Sequence, residues 1–417
     1  MTGTIIFRNA FLIDGNGGDP SADAIVVVLD GTIKEIISDG KGTKIPKGRV
    51  IDLKGKTLMP GLIDAHVHPG NIELTTKETA ALPPAVYVHR ATKNLETDID
   101  LGFTTLRDAA GLDLGFRAAI DQGLIRGPRL LLSVSPLTQT GSDPGNGRFG
   151  RAEPMARNSI GVFPEICDGQ DEVRKAARKS LGRGADQIKI FADGEVASQS
   201  ESDKAKPGQW KFTIEEIRAA VETAEAAGTY VMAHAYSPRA IQNCLAAGVR
   251  SIEHGNLMDA ETAEMMSKEG AYYVPTLTTY SVLAKEAREI LDAYTLEKLE
   301  IVLHKGQHAL ELAYRAGVKI GSGSDIIGPF QYLKGREFIF KAEVMTPMEA
   351  IVSATRTNAE LIGMLDQLGT LEPGKLADLI VVDGNPLEDL ALFEQGLERV
   401  VLVMREGRIV KDIMKAF

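Results

Sequence analysis

The chain has little cysteine and no long apolar run. Its 417 residues include only two cysteines, Cys167 and Cys244, which lack the spacing of a cysteine metal site. Two cysteines also cannot form the disulfide framework of a small secreted protein. No 18-residue apolar stretch occurs, and the first residues lack the basic, apolar and small-residue segments of a signal peptide. We therefore expect a cytoplasmic protein without a membrane segment.

Positive charge is scarce as well. The chain has 47 Lys and Arg against 57 Asp and Glu, a formal net charge of -10, and no basic run. A basic stripe is the electrostatic signature of nucleic-acid binding, so we expect no nucleic-acid partner. Residues 145–150 match the GxGxxG pattern of dinucleotide sites, but no strand-like run precedes them and no helix-like run follows. We therefore expect no nucleotide cofactor.

Strand-like and helix-like segments alternate between residues 58 and 365. Such alternation predicts an α/β protein with a parallel sheet and helical crossovers. Eight strand-like runs predict a (β/α)8 TIM barrel, here a domain of residues 58–365. The predicted strands are 62–68, 103–108, 129–134, 187–191, 230–235, 251–255, 272–277 and 319–325.

The two ends of the chain have a different pattern. Short β-like runs with Gly and Asn-Pro turns occupy residues 4–53 and 376–412. Neither end is long enough to make a sizeable sheet alone. We therefore predict a small discontinuous β-sandwich domain, built from residues 1–57 and 366–417, beside the barrel.

Six polar residues that suit metal binding lie at the ends of the predicted barrel strands, where barrel active sites lie. Four of the seven histidines are among them, although any single one could be a hydrogen-bonded core residue. His66 and His68 alternate on one strand, so both rings point to the same face and could bind one metal ion. His89, His304 and His308 lie in helix-like segments, and we expect them to be structural or exposed. The six candidate ligands are His66, His68, Lys189, His234, His254 and Asp325.

Several motifs resemble one known family. They are PGLIDAHVH, GFTTLRDAAG, QIKIFADG, YVMAHAYSP, SIEHGN, GSGSD and LGTLEPGKLADLIVVDGNP. Together they resemble the amidohydrolase superfamily, and within it the imidazolonepropionase-related branch that includes prolidase-like (Xaa-Pro) and Xaa-Arg dipeptidases. The resemblance covers essentially the whole chain, and the YVMAHAYSP to SIEHGN region looks most like the prolidase-type enzymes.

The resemblance implies a site with two divalent metal ions. His66 and His68 would bind the more buried ion together with Asp325, and His234 and His254 would bind the second. Lys189 would bridge the two ions as a carbamate formed with CO2, because an ammonium cannot be a metal ligand; the alternative is an ordinary strand-end lysine. Zinc is the expected metal, although manganese and cobalt also suit these ligands.

The resemblance also implies the chemistry. The ions would lower the pKa of a bridging water and polarise an amide carbonyl, while Asp325 would accept the water proton and deliver it to the leaving nitrogen. Tyr236 could donate a hydrogen bond to the carbonyl oxygen or to a substrate carboxylate, or be structural. Arg239 could bind a substrate carboxylate or face solvent at the start of a helix.

Two segments depart from the family pattern. Where relatives carry a TGGH-type segment this chain has Ser142 and Asp143, and beyond the candidate bridging lysine it has Asp193 and Glu195. We expect these loops to line the mouth of the site. The added carboxylates would favour a substrate with an ammonium or guanidinium group, or they could point outward or pair with a basic residue. Candidate partners are Arg107, Arg148 and Lys204.

These features predict a binuclear metal-dependent amide hydrolase acting on a small dipeptide or N-acyl amino acid, with prolidase-like activity on Xaa-Pro favoured. Alternatives are an Xaa-Arg or Xaa-Lys dipeptidase, an amidase for aromatic N-acyl amino acids of the ochratoxin type, or a cyclic-amide hydrolase. A metal-free scaffold on the same fold is the non-enzyme alternative. We expect small-molecule substrates and a homo-oligomer.

Overall fold

The computed structural model describes residues 3–40, 42–43, 46–74, 78–79, 81–140, 164–196 and 207–414. Strands and helices alternate through the middle of the chain, as predicted. The strands are β1 (Ile5–Leu12), β2 (Ser21–Leu29), β3 (Thr32–Ile37), β4 (Arg49–Asp52), β5 (Thr57–Pro60), β6 (Leu62–Val67), β7 (Phe103–Asp108), β8 (Arg129–Leu132), β9 (Leu137–Thr138), β10 (Glu165–Ile166), β11 (Ile188–Phe191), β12 (Val231–Ala235), β13 (Ser251–His254), β14 (Tyr272–Val274), β15 (Lys319–Ile320), β16 (Leu379–Val382), β17 (Val400–Arg405) and β18 (Arg408–Asp412).

The α-helices connect the central strands or follow them. They are α1 (Pro84–Asp100), α2 (Leu114–Asp121), α3 (Gly169–Gly182), α4 (Ile214–Ala226), α5 (Pro238–Ala247), α6 (Ala260–Glu269), α7 (Leu277–Lys285), α8 (Ala293–Arg315), α9 (Arg336–Ala342), α10 (Pro347–Ser353), α11 (Arg356–Leu361) and α12 (Gly396–Arg399). Short 3-10 helices span Gly328–Leu333 and Leu390–Leu392. Within the described ranges, none of these helices is both long and apolar enough to cross a membrane.

Helix α4 shows how local sequence sets an element boundary. The Thr213 side chain accepts a hydrogen bond from the Glu216 backbone N–H, and the Glu216 side chain accepts one from the Thr213 backbone N–H. This reciprocal pair satisfies amide groups that have no partner inside the helix. Gly228 follows the helix with a positive φ of 73°, a conformation that glycine adopts at little cost.

Strands from both ends of the chain share one eight-stranded sheet. Its order is β18-β17-β16-β5-β1-β2-β3, with β4 paired to β1. Strand β5 joins the two ends because it pairs parallel with β1 and antiparallel with β16. Apolar residues from both ends, including Phe7, Leu58, Val381 and Leu402, pack in one buried cluster. The boundaries proposed for a separate domain remain a prediction.

The central strands form two parallel sheets. One has the order β6-β7-β8 and the other β10-β9-β11-β12-β13-β14-β15. Each of the eight predicted strand runs contains an observed strand, so the α/β prediction is confirmed. The two-residue strands β9 and β10 were not predicted, because so short a run has no recognisable periodicity.

Backbone hydrogen bonds connect the edges of these two sheets. The Ala65 N–H donates to Ser322 O at 2.9 Å, and the Asp325 N–H donates to His66 O at 2.8 Å. Beyond β8, the Asp186 N–H, just before β11, donates to Leu132 O at 2.7 Å. Strand β6 therefore lies beside the segment after β15, and β8 lies beside the segment before β11. This arrangement brings the carboxyl ends of β6, β11, β12 and β13 toward a common region.

Candidate metal centre and active site

The six candidate ligands lie at the carboxyl ends of the central strands. The histidines and Lys189 are buried, and the Asp325 side chain is 17% exposed. Asp325 lies five residues beyond the end of β15, because the GSGSD segment leaves the strand earlier than predicted. His66 and His68 stand on β6 and directly after it, Lys189 on β11, His234 on β12 and His254 on β13.

Three of these residues form a compact group of possible ligand atoms. His66 Nε2 is 3.6 Å and His68 Nε2 is 3.4 Å from Asp325 Oδ1. One ligand atom from each of the three residues lies within 4.8 Å of the others. Lys189 Nζ is 3.4 Å from His66 Nε2, so the lysine reaches the same space. This set matches the residues predicted to hold the more buried ion.

The remaining two histidines lie directly beside this group. The His254 ring centroid is 4.8 Å from that of His66 and 4.5 Å from that of His234. His254 Nδ1 is also 3.8 Å from Asp325 Oδ2. The fold therefore brings all six sequence-predicted ligands together, although they come from five separate segments of the chain.

Three of the histidines have one ring nitrogen bound by a neighbour. His66 Nδ1 is 2.8 Å from Glu253 Oε2, and His68 Nδ1 is 2.9 Å from the Ala110 carbonyl oxygen. His254 Nδ1 is 2.7 Å from Thr276 Oγ1. A carboxylate or carbonyl acceptor requires the proton to be on Nδ1, which leaves the Nε2 lone pair of His66 and His68 free for a metal ion.

Glu253 is itself held by a buried network. Its Oε1 atom accepts hydrogen bonds from Arg107 Nη2 at 2.9 Å and from Ser251 Oγ at 2.6 Å. Arg107 is fully buried and also donates to Ser251 Oγ and to the Ala65 carbonyl oxygen. The guanidinium therefore compensates the Glu253 charge, and Glu253 in turn orients the His66 ring.

Burial dominates the electrostatics of the site. It lowers the pKa of His68 to about 3 and the pKa values of His66 and His254 well below their usual value. These imidazoles are thus neutral at pH 7, which is the form that binds metals. Burial also lowers the pKa of Lys189 and raises that of Asp325, because isolated charges are poorly solvated there.

The backbone is strained where the strands end at the site. His254, Thr276 and Asp325 have positive φ values of 75°, 50° and 50°, a region that non-glycine residues rarely adopt. Gly323 allows the GSGSD segment to pass close to β6, since a Cβ there would lie 2.7 Å from His66 Cβ. This close approach places Asp325 opposite His66 and His68.

Tyr236 and a residue that was not predicted, Tyr280, form one wall of the site. The Tyr236 ring centroid is 4.5 Å from that of His234 and 5.5 Å from that of His254. Tyr280, on α7, donates a hydrogen bond to the Tyr236 hydroxyl at 3.1 Å. In the sequence, Tyr280 is an aromatic residue shortly after a predicted strand. This pattern is too common to indicate a functional residue.

The residues expected to contact substrate differ in their exposure to solvent. Arg239 is exposed on α5, and Ser142 and Asp143 lie outside the described residues. Asp193 and Glu195 are both buried beyond β11. Asp193 accepts a hydrogen bond from the Ser237 N–H at the start of α5. Glu195 forms an ion pair with Lys211 at 3.3 Å, a residue that was not among the predicted partners.

The three other histidines lie on helices away from the site. His89 is on α1, and His304 and His308 are on α8. All three are exposed, with the His304 and His308 side chains 75% and 68% accessible. This agrees with the expectation that they are structural or surface residues.

The donor set fits divalent metal ions. It combines imidazoles and a carboxylate, the ligands that zinc and similar ions prefer. His66, His68 and Asp325 each present a ligand atom within 4.8 Å of the other two, a spacing that one ion could share. An ammonium on Lys189 would repel a cation placed beside these ligands.

A site of this kind, on this fold, defines a hydrolase acting on C–N bonds. The chain belongs to the amidohydrolase family, whose model matches residues 57–410. The family prediction is thereby confirmed.

Three relatives illustrate the range of similar proteins. A crystal structure of a prolidase complexed with N-methylphosphonate-L-proline has a TM-score of 0.92 and 38% identity, covering 98% of this chain and 100% of that one. Ochratoxinase of Aspergillus niger is 31% identical over 98% of this chain and 86% of its own length. Imidazolonepropionase of Symbiobacterium thermophilum is 24% identical over 88% and 84% respectively.

Proposed function

We propose that this protein is a binuclear metal-dependent hydrolase of small dipeptides or N-acyl amino acids, with Xaa-Pro dipeptides as the favoured substrates. The observation that carries the proposal is the convergence of six metal-capable side chains, with two β6 histidines oriented by neighbours. The similarity to a prolidase in complex with a proline phosphonate supports the choice of substrate.

His66, His68 and Asp325 would hold one ion, His234 and His254 the second, and carboxylated Lys189 would bridge them. When bound, two zinc ions would supply Lewis acidity and an activated water at neutral pH. Bicarbonate would then promote activity by supplying CO2 for the lysine. His66, His68 and His254 suit this role because burial lowers their pKa values, so they need no deprotonation at pH 7.

Asp325 is the residue that moves the proton. Its Oδ1 atom lies between His66 and His68, 3.6 and 3.4 Å from their Nε2 atoms, so it is close to any water held by these ligands. It would accept a proton from the attacking water and return it to the leaving nitrogen. Tyr236, whose hydroxyl accepts a hydrogen bond from Tyr280, keeps its own proton to donate to the substrate carbonyl oxygen.

A second substrate class is an aromatic N-acyl amino acid. Tyr236 and Tyr280 belong to an apolar cluster that also includes Leu257, Ile327 and Phe330. An apolar surface next to the metal ligands favours a substrate with an aromatic or aliphatic group. The 31% identity to ochratoxinase supports the same alternative.

We also propose that the two central sheets form one closed (β/α)8 barrel of residues 58–365, with residues 1–57 and 366–417 as a discontinuous β-rich domain. The hydrogen bonds from Ala65 to Ser322, from Asp325 to His66 and from Asp186 to Leu132 support closure at both seams. The sheet that contains strands from both termini supports the second domain.

The test is hydrolysis by zinc-loaded protein in bicarbonate buffer. The panel holds Xaa-Pro, Xaa-Arg and Xaa-Lys dipeptides, N-acyl amino acids with aromatic or aliphatic side chains, and cyclic amides. Asp325→Asn is the control, and we expect it to lower kcat by about 10²-fold or more, because an amide cannot accept the proton.

Preferential Asp325-dependent cleavage of Xaa-Pro supports the proposal. Cleavage confined to basic dipeptides or aromatic N-acyl amino acids transfers the assignment to that class. Protein that binds no zinc and cleaves nothing is a scaffold, and the proposal is then wrong.

A further inference from the structure

Asp193 is a fully buried carboxylate that the reaction described above does not use. It lies four residues beyond Lys189, in the segment that follows β11. Its backbone is fixed by an antiparallel bridge to Trp210. On either side of this bridge the Gly194 N–H donates to Gln209 O at 2.9 Å, and the Lys211 N–H donates to Ala192 O at 2.8 Å. The position of Asp193 is therefore set independently of its side chain.

One carboxylate oxygen of Asp193 holds the turn between β12 and α5. Asp193 Oδ2 accepts hydrogen bonds from the Tyr236 N–H at 2.7 Å, the Ser237 N–H at 2.9 Å and Ser237 Oγ at 3.1 Å. Three donors use the capacity of this oxygen. The turn that carries His234 and Tyr236 is thus tied to the segment that follows Lys189.

The other oxygen faces His234. Asp193 Oδ1 is 3.3 Å from His234 Nε2, and both atoms are buried without a hydrogen-bond partner among the described residues. A carboxylate oxygen can only accept, so these two atoms are complementary when the proton of His234 is on Nε2. Nδ1 is then the nitrogen with a free lone pair. This is the reverse of His66 and His68, whose Nδ1 atoms face acceptors.

We propose that Asp193 is a positioning residue of the metal centre: it holds the His234 imidazole with Nε2 protonated and Nδ1 free to bind metal, and it fixes Tyr236 through its backbone. The inference rests on the proposed function in taking His234 as a metal ligand. Carboxylates behind metal-binding histidines set ring orientation and raise ligand basicity. Because both oxygens face protein groups, this role differs from binding a substrate ammonium.

Asp193→Asn separates the two parts of this role. The amide oxygen of the substituted side chain can keep the hydrogen bonds from Tyr236 and Ser237, so the turn is preserved. Its NH2 group would face His234 Nε2 and require a lone pair there, which places the proton on Nδ1. We expect zinc affinity at one of the two sites to fall about 10- to 100-fold, while the unfolding midpoint changes little.

Two measurements besides activity report on this inference. Competition with a chromogenic chelator gives the zinc stoichiometry and the affinity of each site. The NMR spectrum of zinc-loaded protein labelled with 15N-histidine shows which nitrogen of His234 carries the proton. A His234→Gln sample identifies the His234 signals.

The matched control is Asp389→Asn. Asp389 accepts a hydrogen bond from the Ala391 N–H in a remote 3-10 helix, so this variant should leave all readouts unchanged.

A proton on His234 Nε2 in the wild type, together with a weakened site in Asp193→Asn, supports the inference. Unchanged zinc affinity in Asp193→Asn, or a wild-type proton on Nδ1, overturns it while leaving the proposed function intact. A raised KM confined to substrates with a free ammonium, with zinc binding unchanged, overturns it in favour of substrate binding. Wild-type protein that binds no zinc contradicts the proposed function itself.

Discussion

Two buried carboxylates, Glu253 and Asp193, stand behind different histidines of the candidate site, and they are held in different ways. Glu253 faces His66 and is compensated by the buried guanidinium of Arg107. Asp193 faces His234 and is bound by backbone N–H groups and one hydroxyl. The first arrangement places an ion pair in the core, whereas the second places a carboxylate at a helix start.

The two carboxylates should therefore contribute differently to the stability of the protein and to metal binding. A buried ion pair leaves an uncompensated charge when one partner is removed, so its loss affects the whole fold. A carboxylate bound by backbone amides keeps those bonds when it becomes an amide, so its loss affects mainly the group it orients. Changes at the Glu253 ion pair should therefore mainly lower stability, whereas changes at Asp193 should mainly lower metal affinity.

The largest effect should come from Arg107→Met. The change leaves Glu253 buried and without its cation, and we expect the free energy of unfolding of the metal-free protein to fall by about 3–5 kcal/mol. Urea denaturation checks this. The matched control is Arg126→Met, which breaks a more exposed ion pair with Asp100 and should cost no more than about 1 kcal/mol. Equal losses in the two variants would show that Arg107 does not compensate Glu253.

A smaller effect is expected from Glu253→Gln. The amide can still accept from Arg107 and Ser251, but its NH2 group would face His66 Nδ1 and oppose a proton there. We expect zinc affinity at the more buried site to fall about 10- to 100-fold, or about 1.4–2.7 kcal/mol. Chelator competition measures it. A loss at the His234 site instead would contradict the pairing of Glu253 with His66.

The candidate ligands could be predicted from the sequence because each signal is local. A histidine, lysine or aspartate near the end of a short apolar run is visible without knowing the fold, as at His66, Lys189 and Asp325. Arg107 and Glu253 are 146 residues apart, and nothing in either segment indicates that they meet. Their contact depends on how the two sheets that contain β7 and β13 are brought together.

Asp193 was visible in the sequence, but its environment was not. A carboxylate beyond a strand end suggests substrate binding when its neighbours are unknown. The structure shows three donors from residues 236 and 237, which are 43 and 44 positions away. The strands of the sheets were predictable from their periodicity, whereas the short strand β9 and the partner of each buried polar group required the three-dimensional arrangement.

Thr276→Ala extends the comparison to a neutral partner. Thr276 Oγ1 lies 2.7 Å from His254 Nδ1, and a neutral hydrogen bond is worth less than one to a carboxylate. We expect zinc affinity at the second site to fall about 3- to 10-fold, from a loss of about 0.7–1.4 kcal/mol. Thr276→Ser keeps the hydroxyl and should bind zinc as the wild type does. A loss of equal size in both variants would attribute the effect to packing of the methyl group.

The smallest effect should come from Tyr280→Phe, because the Tyr280 hydroxyl bonds to the Tyr236 hydroxyl and not directly to a candidate metal ligand. The variant removes the hydroxyl that donates to the Tyr236 hydroxyl, so the Tyr236 proton is less firmly directed to the substrate. We expect kcat/KM on the preferred substrate to fall about 2- to 10-fold, consistent with one hydrogen bond of about 0.5–1.5 kcal/mol, with zinc affinity unchanged. Tyr314→Phe, at a surface tyrosine bound to Glu349, is the control and should have full activity. Tyr280→Phe could instead weaken zinc binding as strongly as Asp193→Asn. The tyrosine pair would then support the metal centre as well. In that case it is wrong to assign ligand orientation to the carboxylates and substrate contact to the tyrosines.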